Sequence, residues 1–408
     1  MAGLKPGFCV IDVTSRGALI REMARMGVDP RGIEIMAPKG EALAVRLEGL
    51  PKEVALLLKQ EMLSKGGDVA LPKEAVRPGH REVDALLIGT RKQFEALLSK
   101  LRSQPGLLPG LVEAIEGALR SAGPRRLVIE ANGRRLVFGE RTLVMGIINA
   151  TPDSFSGDGV YKNVDAALRR AEEMIEAGAD IIDVGGESTR PGADPVPEEE
   201  ERERVIPVVE AVVRRFDVPV SVDTYKARVA EEALDKGAWM VNDVTALRGD
   251  KRMGEVVARY GAPVVLMHMK GTPKTMQENP QYEDVVAEQL GFFRERMEAA
   301  VEAGVEEGRI IIDPGIGFGK RLEHNLEILR RLSEYRSLGR PVLIGPSRKS
   351  FIGMILGGLP PEERLEGTLA VLALAVAKGV DLVRVHDVKE AVRAIRVAEA
   401  LERWPLPI

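Results

Sequence analysis

The sequence predicts an α/β protein: a (β/α)8 barrel preceded by a smaller α/β unit with a ferredoxin-like order of elements. Three observations carry that expectation. From residue 142 onward one unit repeats eight times, an apolar β-branched run, a polar loop and an amphipathic helix. The apolar runs are nearly continuous, which implies strands buried on both faces, hence a parallel sheet covered by helices. Upstream, residues 1–140 hold about 22 basic and 17 acidic side chains, against about 36 and 45 in the remainder, so the balance of charge reverses between two parts.

In the first part, residues 8–13 (FCVIDV) read as a strand and 15–26 as a helix ended by Gly27. Strands are expected at 32–36 and 42–47. A helix spans 51–65, with Pro51 in its first turn and Gly66 past its end. A short strand at 68–71 completes a β-α-β-β-α-β order, the split ferredoxin-like pattern. A strand at 83–89 and helices at 91–102 and 109–121 follow. Gln104-Pro105-Gly106, Pro109-Gly110 and Gly123-Pro124 bracket the last of these helices. They leave 1–122 as an N-terminal unit to which the sequence assigns no role, and 125–408 as the barrel. No acid or nucleophile pattern surrounds His80, which reads as a loop histidine.

The barrel part opens with a hairpin over 125–140, because Asn132-Gly133 stands between two alternating apolar runs. Strands follow at 142–149, 180–185, 218–223, 239–244, 263–268, 310–313, 341–346 and 381–386. Helices are expected at 164–177, 197–215, 225–236, 251–260, 281–303, 322–335, 365–378 and 388–402. Eight units in about 267 residues match a barrel of typically about 250. A doubly wound open sheet would need GxGxxG after its first strand, and none is present.

Composition narrows the function. Of 408 residues 45% are apolar and 29% charged, with a net charge of -4, so there is a core to bury and no basic field for nucleic acid. One cysteine, Cys9, excludes an internal disulfide framework and fits a reducing cytoplasm. No apolar run reaches the roughly 18 residues of a membrane span, and the start lacks the apolar region of a signal peptide. Four scattered histidines form no HxxxH metal helix.

Active sites of such barrels lie at the C-terminal strand ends. Here those ends are polar: Asn149, Asp183, Asp223, Asn242-Asp243, His268, Asp313, then Ser347-Arg348-Lys349-Ser350, and Arg384 to Asp387. Singly, each has a bland reading. An aspartate at a strand end caps a turn or pairs with a neighbour about as often as it binds a ligand. His268, His386 and His324 pass as structural histidines, and Lys349 as a solvated lysine. Asp180 and Asp217 precede strands, at the opposite end, and read as turn residues. Jointly, Asp183, Asp223, Asn242, Asp313 and Lys349 point at one cavity. Several buried carboxylates without partners would cost several kcal/mol each, so they need a polar ligand or one another. Carboxylates, an amide and a lysine suit the edge of a flat, nitrogen-rich heterocycle. Glycines in GGESTRPG and GIGFG allow close backbone approach to a ligand. Arg348, Arg384 and His386 come from the seventh and eighth strand ends, where barrels often bind phosphate. No nucleophile set supports covalent catalysis.

Five segments, MGIINATPDSFS (145–156), DVGGESTRPG (183–192), DPGIGFGK (313–320), SRKS (347–350) and RVHD (384–387), resemble dihydropteroate synthases, in order and at the matching strands. The resemblance spans about 125–408. It implies condensation of 6-hydroxymethyl-7,8-dihydropterin pyrophosphate with p-aminobenzoate, in a homodimeric transferase of folate synthesis. It further implies that Asp223, Asn242, Asp313 and Lys349 bind the pterin edge and that Arg384 stacks on the ring. Arg384, Asn149 and His386 would hold the pyrophosphate, while Lys349, Arg384, His386 and Asp183 form the catalytic set. Phe155, Thr189, Arg190, Pro191, Phe318 and Ser350 would form the p-aminobenzoate pocket. Asn149 and Asp158 would meet Mg2+, a hard cation that prefers oxygen ligands. The family's first loop runs Ser-Asp-Gly-Gly, whereas Ser156-Gly157-Asp158-Gly159 displaces that carboxylate by one position.

Two other readings share the pterin edge: a methyltetrahydrofolate-corrinoid methyltransferase, and a pterin-binding protein without turnover. The segments TPDSFS (151–156), STRPG (188–192), SRKS and RVHD favour pyrophosphate chemistry over the first, and retention of all the proposed chemical groups argues against the second.

Overall fold

The computed structural model describes residues 16–76, 81–103, 110–151, 163–188, 193–272 and 274–402. The chain divides into two compact units, Met1–Gly123 and Pro124–Ile408.

In the first unit, helices α1 (Arg16–Arg25) and α2 (Pro30–Gly40) precede strand β1 (Ala42–Pro51), helix α3 (Lys52–Ser64) and strands β2 (Asp68–Ala70) and β3 (Glu82–Thr90). Helices α4 (Arg91–Arg102) and α5 (Leu111–Ala122) follow. The strands form an antiparallel sheet in the order β1-β3-β2. Alternation along β3 buries Val83, Ala85 and Leu87 against Leu58 and Met62 of α3, Phe94 and Leu97 of α4, and Ile115 of α5. Thr90 and Gln93 close a capping box that starts α4.

The strand expected at 32–36 is a helix. Asp29 Oδ1 accepts from the N–H groups of Arg31 and Gly32, and Pro30 occupies the first helical position. The N-cap and Pro30 signals therefore outweigh the alternation of Ile33-Glu34-Ile35. The described elements run α-α-β-α-β-β-α-α, so the ferredoxin-like order is not seen among them, and the strand expected at 8–13 and His80 lie outside the described residues.

The second unit opens with a hairpin, β4 (Leu127–Ala131) and β5 (Arg134–Phe138), turning through Asn132 and Gly133, both at positive φ. Eight parallel strands follow: β6 (Leu143–Asn149), β7 (Ile181–Gly185), β8 (Val220–Asp223), β9 (Met240–Asp243), β10 (Val264–Met267), β11 (Ile310–Asp313), β12 (Leu343–Ile344) and β13 (Leu382–Val385). Their order is β11-β10-β9-β8-β7-β6-β13-β12. The Ile312–Val342 bridge and the bond from Ile312 N to Pro341 O (3.0 Å) join the ends, closing the barrel. Outside lie α6 (Val164–Glu176), α7 (Glu198–Arg215), α8 (Ala227–Asp235), α9 (Met253–Tyr260), α10 (Val285–Glu302), α11 (Leu322–Arg330), α12 (Ser350–Ile355), α13 (Leu365–Ala377) and α14 (Val388–Glu402).

Several elements differ from expectation. Pro341, Gly345 and Pro346 shorten β12 to two residues, since proline cannot donate to the ladder. Asp284 caps α10 by accepting from Val286 N and Ala287 N at 3.0 Å each, so that helix starts later than residue 281. The six-residue α12 was not anticipated; it places Ser350 at its first turn.

The hairpin covers the N-terminal mouth of the barrel. Ile129, Ala131 and Phe138 pack on Met145, Ile181, Met240, Val265, Ile311 and Leu382, and Trp239 Nε1 donates to Ala131 O at 2.8 Å. Part-buried Arg125 pairs with buried Asp381, whose Oδ2 also accepts from Val342 N at 2.8 Å. Asp180 does more than form a turn, since its Oδ2 accepts from Val144 N (2.9 Å) and from Arg141. With that end closed, the C-terminal end is left for the site. Among the described residues no helix is long and apolar enough to cross a membrane.

Candidate active site

The C-terminal strand ends surround a cavity of about 500 Å3. Asn149, Asp223, Asn242, Asp313, Phe318, Lys349, Ser350, Arg384 and His386 all line it. Strand geometry puts Asn149, Asp223, Asn242, Asp313, Arg384 and His386 there, because each lies at or directly after the end of a buried apolar strand, whereas Phe318, Lys349 and Ser350 stand on the segments that follow β11 and β12. Asp183, fully buried, lies in contact with them. Phe155, Asp158, Thr189, Arg190 and Pro191 lie outside the described residues.

Arg384 ties the polar groups together. Its Nε donates to Asp183 Oδ2 at 2.6 Å and its Nη2 to Asp223 Oδ2 at 2.7 Å. Asn242 Nδ2 donates to the same Asp183 oxygen at 3.3 Å. The strand-end carboxylates thus do pair, and Asp223 shares the guanidinium that the resemblance assigns to stacking. Burial pushes the Asp223 carboxyl up to about 7 against the opposing pull of Arg384. Asp313 is raised by burial as well, with Lys349 and the Gly315 N–H opposing. That N–H reaches Asp313 Oδ1 at 2.7 Å. Lys349 is pushed by burial down to about 8, with Asp313 opposing. Its Nζ donates to Ile316 O and lies 4.4 Å from the centre of the Phe318 ring. Val244, Met267 and Met276 add an apolar wall beside Phe318. A flat ring with polar edges fits such a mixture.

The glycines of GIGFG serve neighbouring loops. Gly315 (φ +65°) has no room for a Cβ, which would stand 2.1 Å from His268 O, and a Cβ on Gly319 (φ +64°) would stand 2.4 Å from Lys270 O. They let the loop after β11 lie on the loop after β10, rather than on a ligand. Lys320 Nζ fastens the two, donating to Phe318 O (2.8 Å) and His268 O (3.2 Å) and lying 3.0 Å from His268 Nδ1. Gln289 Nε2 reaches the same ring nitrogen (3.0 Å) and Pro314 O (2.9 Å). His268 is therefore structural, and burial holds its pKa well below the usual value.

Sequence reasoning gave Ser347, Glu187 and Asp243 no role of their own and read Arg348 as part of a phosphate site. Ser347 Oγ lies 3.0 Å from His386 Nδ1. Arg348, at φ +54°, grips Asp387 side-on through Nε (2.8 Å) and Nη2 (2.5 Å). It braces the SRKS loop instead of facing an anion alone. Glu187, at the cavity wall, accepts from Tyr225 OH (3.0 Å), Lys226 and Val196 N (3.1 Å). Lys226 also reaches buried Glu201. Glu187 stands inside the DVGGESTRPG segment, the one signal that marks it. Asp243 turns inward on its own loop, accepting from Thr245 N and Oγ1 (2.7 Å each) and Leu247 N (2.8 Å).

Among the described residues no three His, Cys, Asp or Glu side chains converge to hold a resident metal. Asn149 brings one neutral amide oxygen to the cavity. That donor set fits a hard cation that keeps its waters and travels with phosphate oxygens.

The family described as pterin binding enzyme matches residues 145–386. Dihydropteroate synthase of Bacillus subtilis is 49% identical over 274 residues, covering 67% of this chain and 93% of that protein. A probable bifunctional folylpolyglutamate synthase/dihydropteroate synthase of Halobacterium salinarum is 43% identical over 393 residues, 96% of this chain and 47% of that protein. The solved dihydropteroate synthase of Xanthomonas albilineans with 4-aminobenzoic acid superposes with a TM-score of 0.64 at 46% identity, over 69% of this chain and 100% of that one.

Proposed function

The chain belongs to the dihydropteroate synthases, a family of pterin-binding enzymes, and we propose that its barrel joins 6-hydroxymethyl-7,8-dihydropterin pyrophosphate to p-aminobenzoate. The products are 7,8-dihydropteroate, for folate synthesis, and pyrophosphate. One observation supports the assignment of this cavity above the others: Asp223, Asn242, Asp313 and Lys349 arrive from four strand ends at one cavity beside an apolar wall.

The pterin edge carries an amino group and a ring N–H, both donors, next to a carbonyl acceptor. Asp313 and Asp223 supply acceptors, Lys349 supplies the donor for the carbonyl, and Asn242 supplies either. Arg384, Asn149 and His386 hold the pyrophosphate. The methylene C–O bond breaks, the arylamine nitrogen forms the new C–N bond and gives up one proton. Carboxylates at the strand ends stabilise positive charge on the pterin as that bond opens. Mg2+ on the pyrophosphate would offset charge on the leaving oxygen, with Asn149 and, outside the described residues, Asp158 as its protein ligands. Phe318 and Ser350, with Phe155, Thr189, Arg190 and Pro191 outside the described residues, receive p-aminobenzoate.

We place the enzyme in the cytoplasm, which its single cysteine favours, and as a homodimer. Apolar side chains exposed on α13 and α14, Leu374, Val397 and Leu401, support the pairing of two copies. The test is pyrophosphate release by the full chain with Mg2+. Release that depends on p-aminobenzoate is expected. Tight pterin binding without release would favour a binding protein.

A further inference from the structure

Asp183 is wholly buried at β7, and the reaction as read above gives it no substrate atom to touch. Its Oδ2 carries two bonds, from Arg384 Nε and Asn242 Nδ2. Its Oδ1, equally buried, has no partner among the described residues. A buried carboxylate oxygen loses its water without return unless some donor reaches it. The nearest guanidinium is divided: Arg384 gives Nε to Asp183 and Nη2 to Asp223.

Elsewhere in this chain the same two nitrogens grip a single carboxylate. Arg348 holds Asp387 through Nε and Nη2, and Arg91 holds Glu41 through Nε (2.6 Å) and Nη2 (2.7 Å). Such side-on pairs satisfy both oxygens at once. Asp183 already meets Nε, so turning its carboxyl group toward Nη2 completes the same arrangement. Asp223, by contrast, lines the cavity and is the group a ligand N–H would meet.

We propose that Asp183 is a positioning residue: when the pterin enters, Arg384 Nη2 leaves Asp223 for Asp183 Oδ1, and Asp223 turns to the ring. The inference rests on the pterin reading of the cavity. Asp183 keeps Asn242 in place through Oδ2 throughout and supplies the alternative partner without which Arg384 would compete with the substrate for Asp223. The raised Asp223 carboxyl agrees with this, because its charge is poorly stabilised until further donors arrive.

Calorimetric titration of the full chain with the pterin pyrophosphate and Mg2+ tests it through a double-mutant cycle. Asp183→Asn should weaken binding about tenfold or more, because its amide N–H faces the guanidinium and leaves Arg384 on Asp223. In an Asp223→Asn background the same substitution should cost no more than about threefold, since there is no carboxylate left to compete. Losses that multiply independently would mean that Asp183 only supports the fold, and the exchange would be wrong. A crystal structure of the unaltered chain with the pterin bound needs no variant to fold. Arg384 Nη2 on Asp183 Oδ1 is expected, and a retained Arg384–Asp223 pair overturns the proposal. An unaltered chain that fails to bind the pterin at all would instead overturn the functional reading itself.

Discussion

Ser347 Oγ stands 3.0 Å from His386 Nδ1 and 3.2 Å from the His386 backbone nitrogen, whose N–H it accepts. With its oxygen serving that N–H, the hydroxyl can give its proton to Nδ1, and we assign the imidazole's own proton to Nε2 on that basis. An Nε2–H is a donor suited to a phosphate oxygen. Ser347→Ala should therefore lower kcat/KM for the pterin pyrophosphate by about tenfold, the loss of one oriented bond. Inhibition by inorganic pyrophosphate should weaken in parallel. An unchanged inhibition constant would place His386 away from the anion.

Asp223 and Lys349 give opposite limbs to the pH profile. Asp223 must be ionised to accept a ligand N–H, and its carboxyl is pushed up to about 7, so kcat/KM should fall as pH drops through that value. Lys349 must be protonated to donate fully, and its ammonium is pushed down to about 8, so kcat/KM should fall as pH climbs past it. Because kcat/KM reports the free enzyme, a narrow bell between those values is expected. Asp223→Asn should remove the acid limb and Lys349→Met the alkaline one. Limbs that survive both substitutions belong to the substrates.

Asp313→Asn keeps the shape but not the chemistry. Asp313 Oδ1 already takes the Gly315 N–H. An amide that keeps this bond turns its N–H groups toward the pterin donors. Pterin affinity should fall by about 2–4 kcal/mol, and Asp313→Ala should lose a similar amount. Calorimetry showing unaltered affinity for both would remove Asp313 from the pterin edge.

The barrel was legible because its signals are local and repeated. Each apolar run stops at a polar residue, as at Asp223 and Asp313, and strand geometry alone brings those stops to one end. Asn132-Gly133 announced the hairpin, since both positions need positive φ. Pairings between distant segments were not legible. Nothing along the sequence joins Arg384 to Asp183, Ser347 to His386, or Lys320 to His268, because each bond depends on which loops the closed barrel makes neighbours. At 32–36 the error was of another kind. Alternation over a few residues fits a strand or a helix equally well, and the capping side chain of Asp29 decides between them.

Removal of residues 1–123 should leave an active barrel. Each unit has its own apolar core, and the hairpin that covers the barrel mouth belongs to the second. Residues 124–408 should be soluble, melt in one transition and keep kcat. Aggregation of this fragment, with the full chain soluble, would make the first unit necessary to the barrel.

Lys320→Met probes the fastening between the two loops that flank Phe318. Three acceptors surround Lys320 Nζ: the carbonyls of Phe318 and His268, and His268 Nδ1. Burial holds its pKa well below the usual lysine range, against the pull of Asp313. Methionine fills the same space but donates nothing, so the buried carbonyl of His268 and the part-buried one of Phe318 lose a donor. The expected loss of stability is about 2–4 kcal/mol, read from chemical denaturation. Gln289 still donates to His268 Nδ1 and Pro314 O, so the loop after β10 should stay in register. The loop after β11 loses its tie at Phe318, whose ring lies under Lys349. Phe318 stands on the proposed p-aminobenzoate side, so KM for p-aminobenzoate should rise several-fold, more than KM for the pterin pyrophosphate. A destabilised enzyme with both KM values unchanged would show that the fastening serves the fold alone. Equal rises in both would mean that Lys349 and Asp313 had moved as well, and that the two loops act as one body.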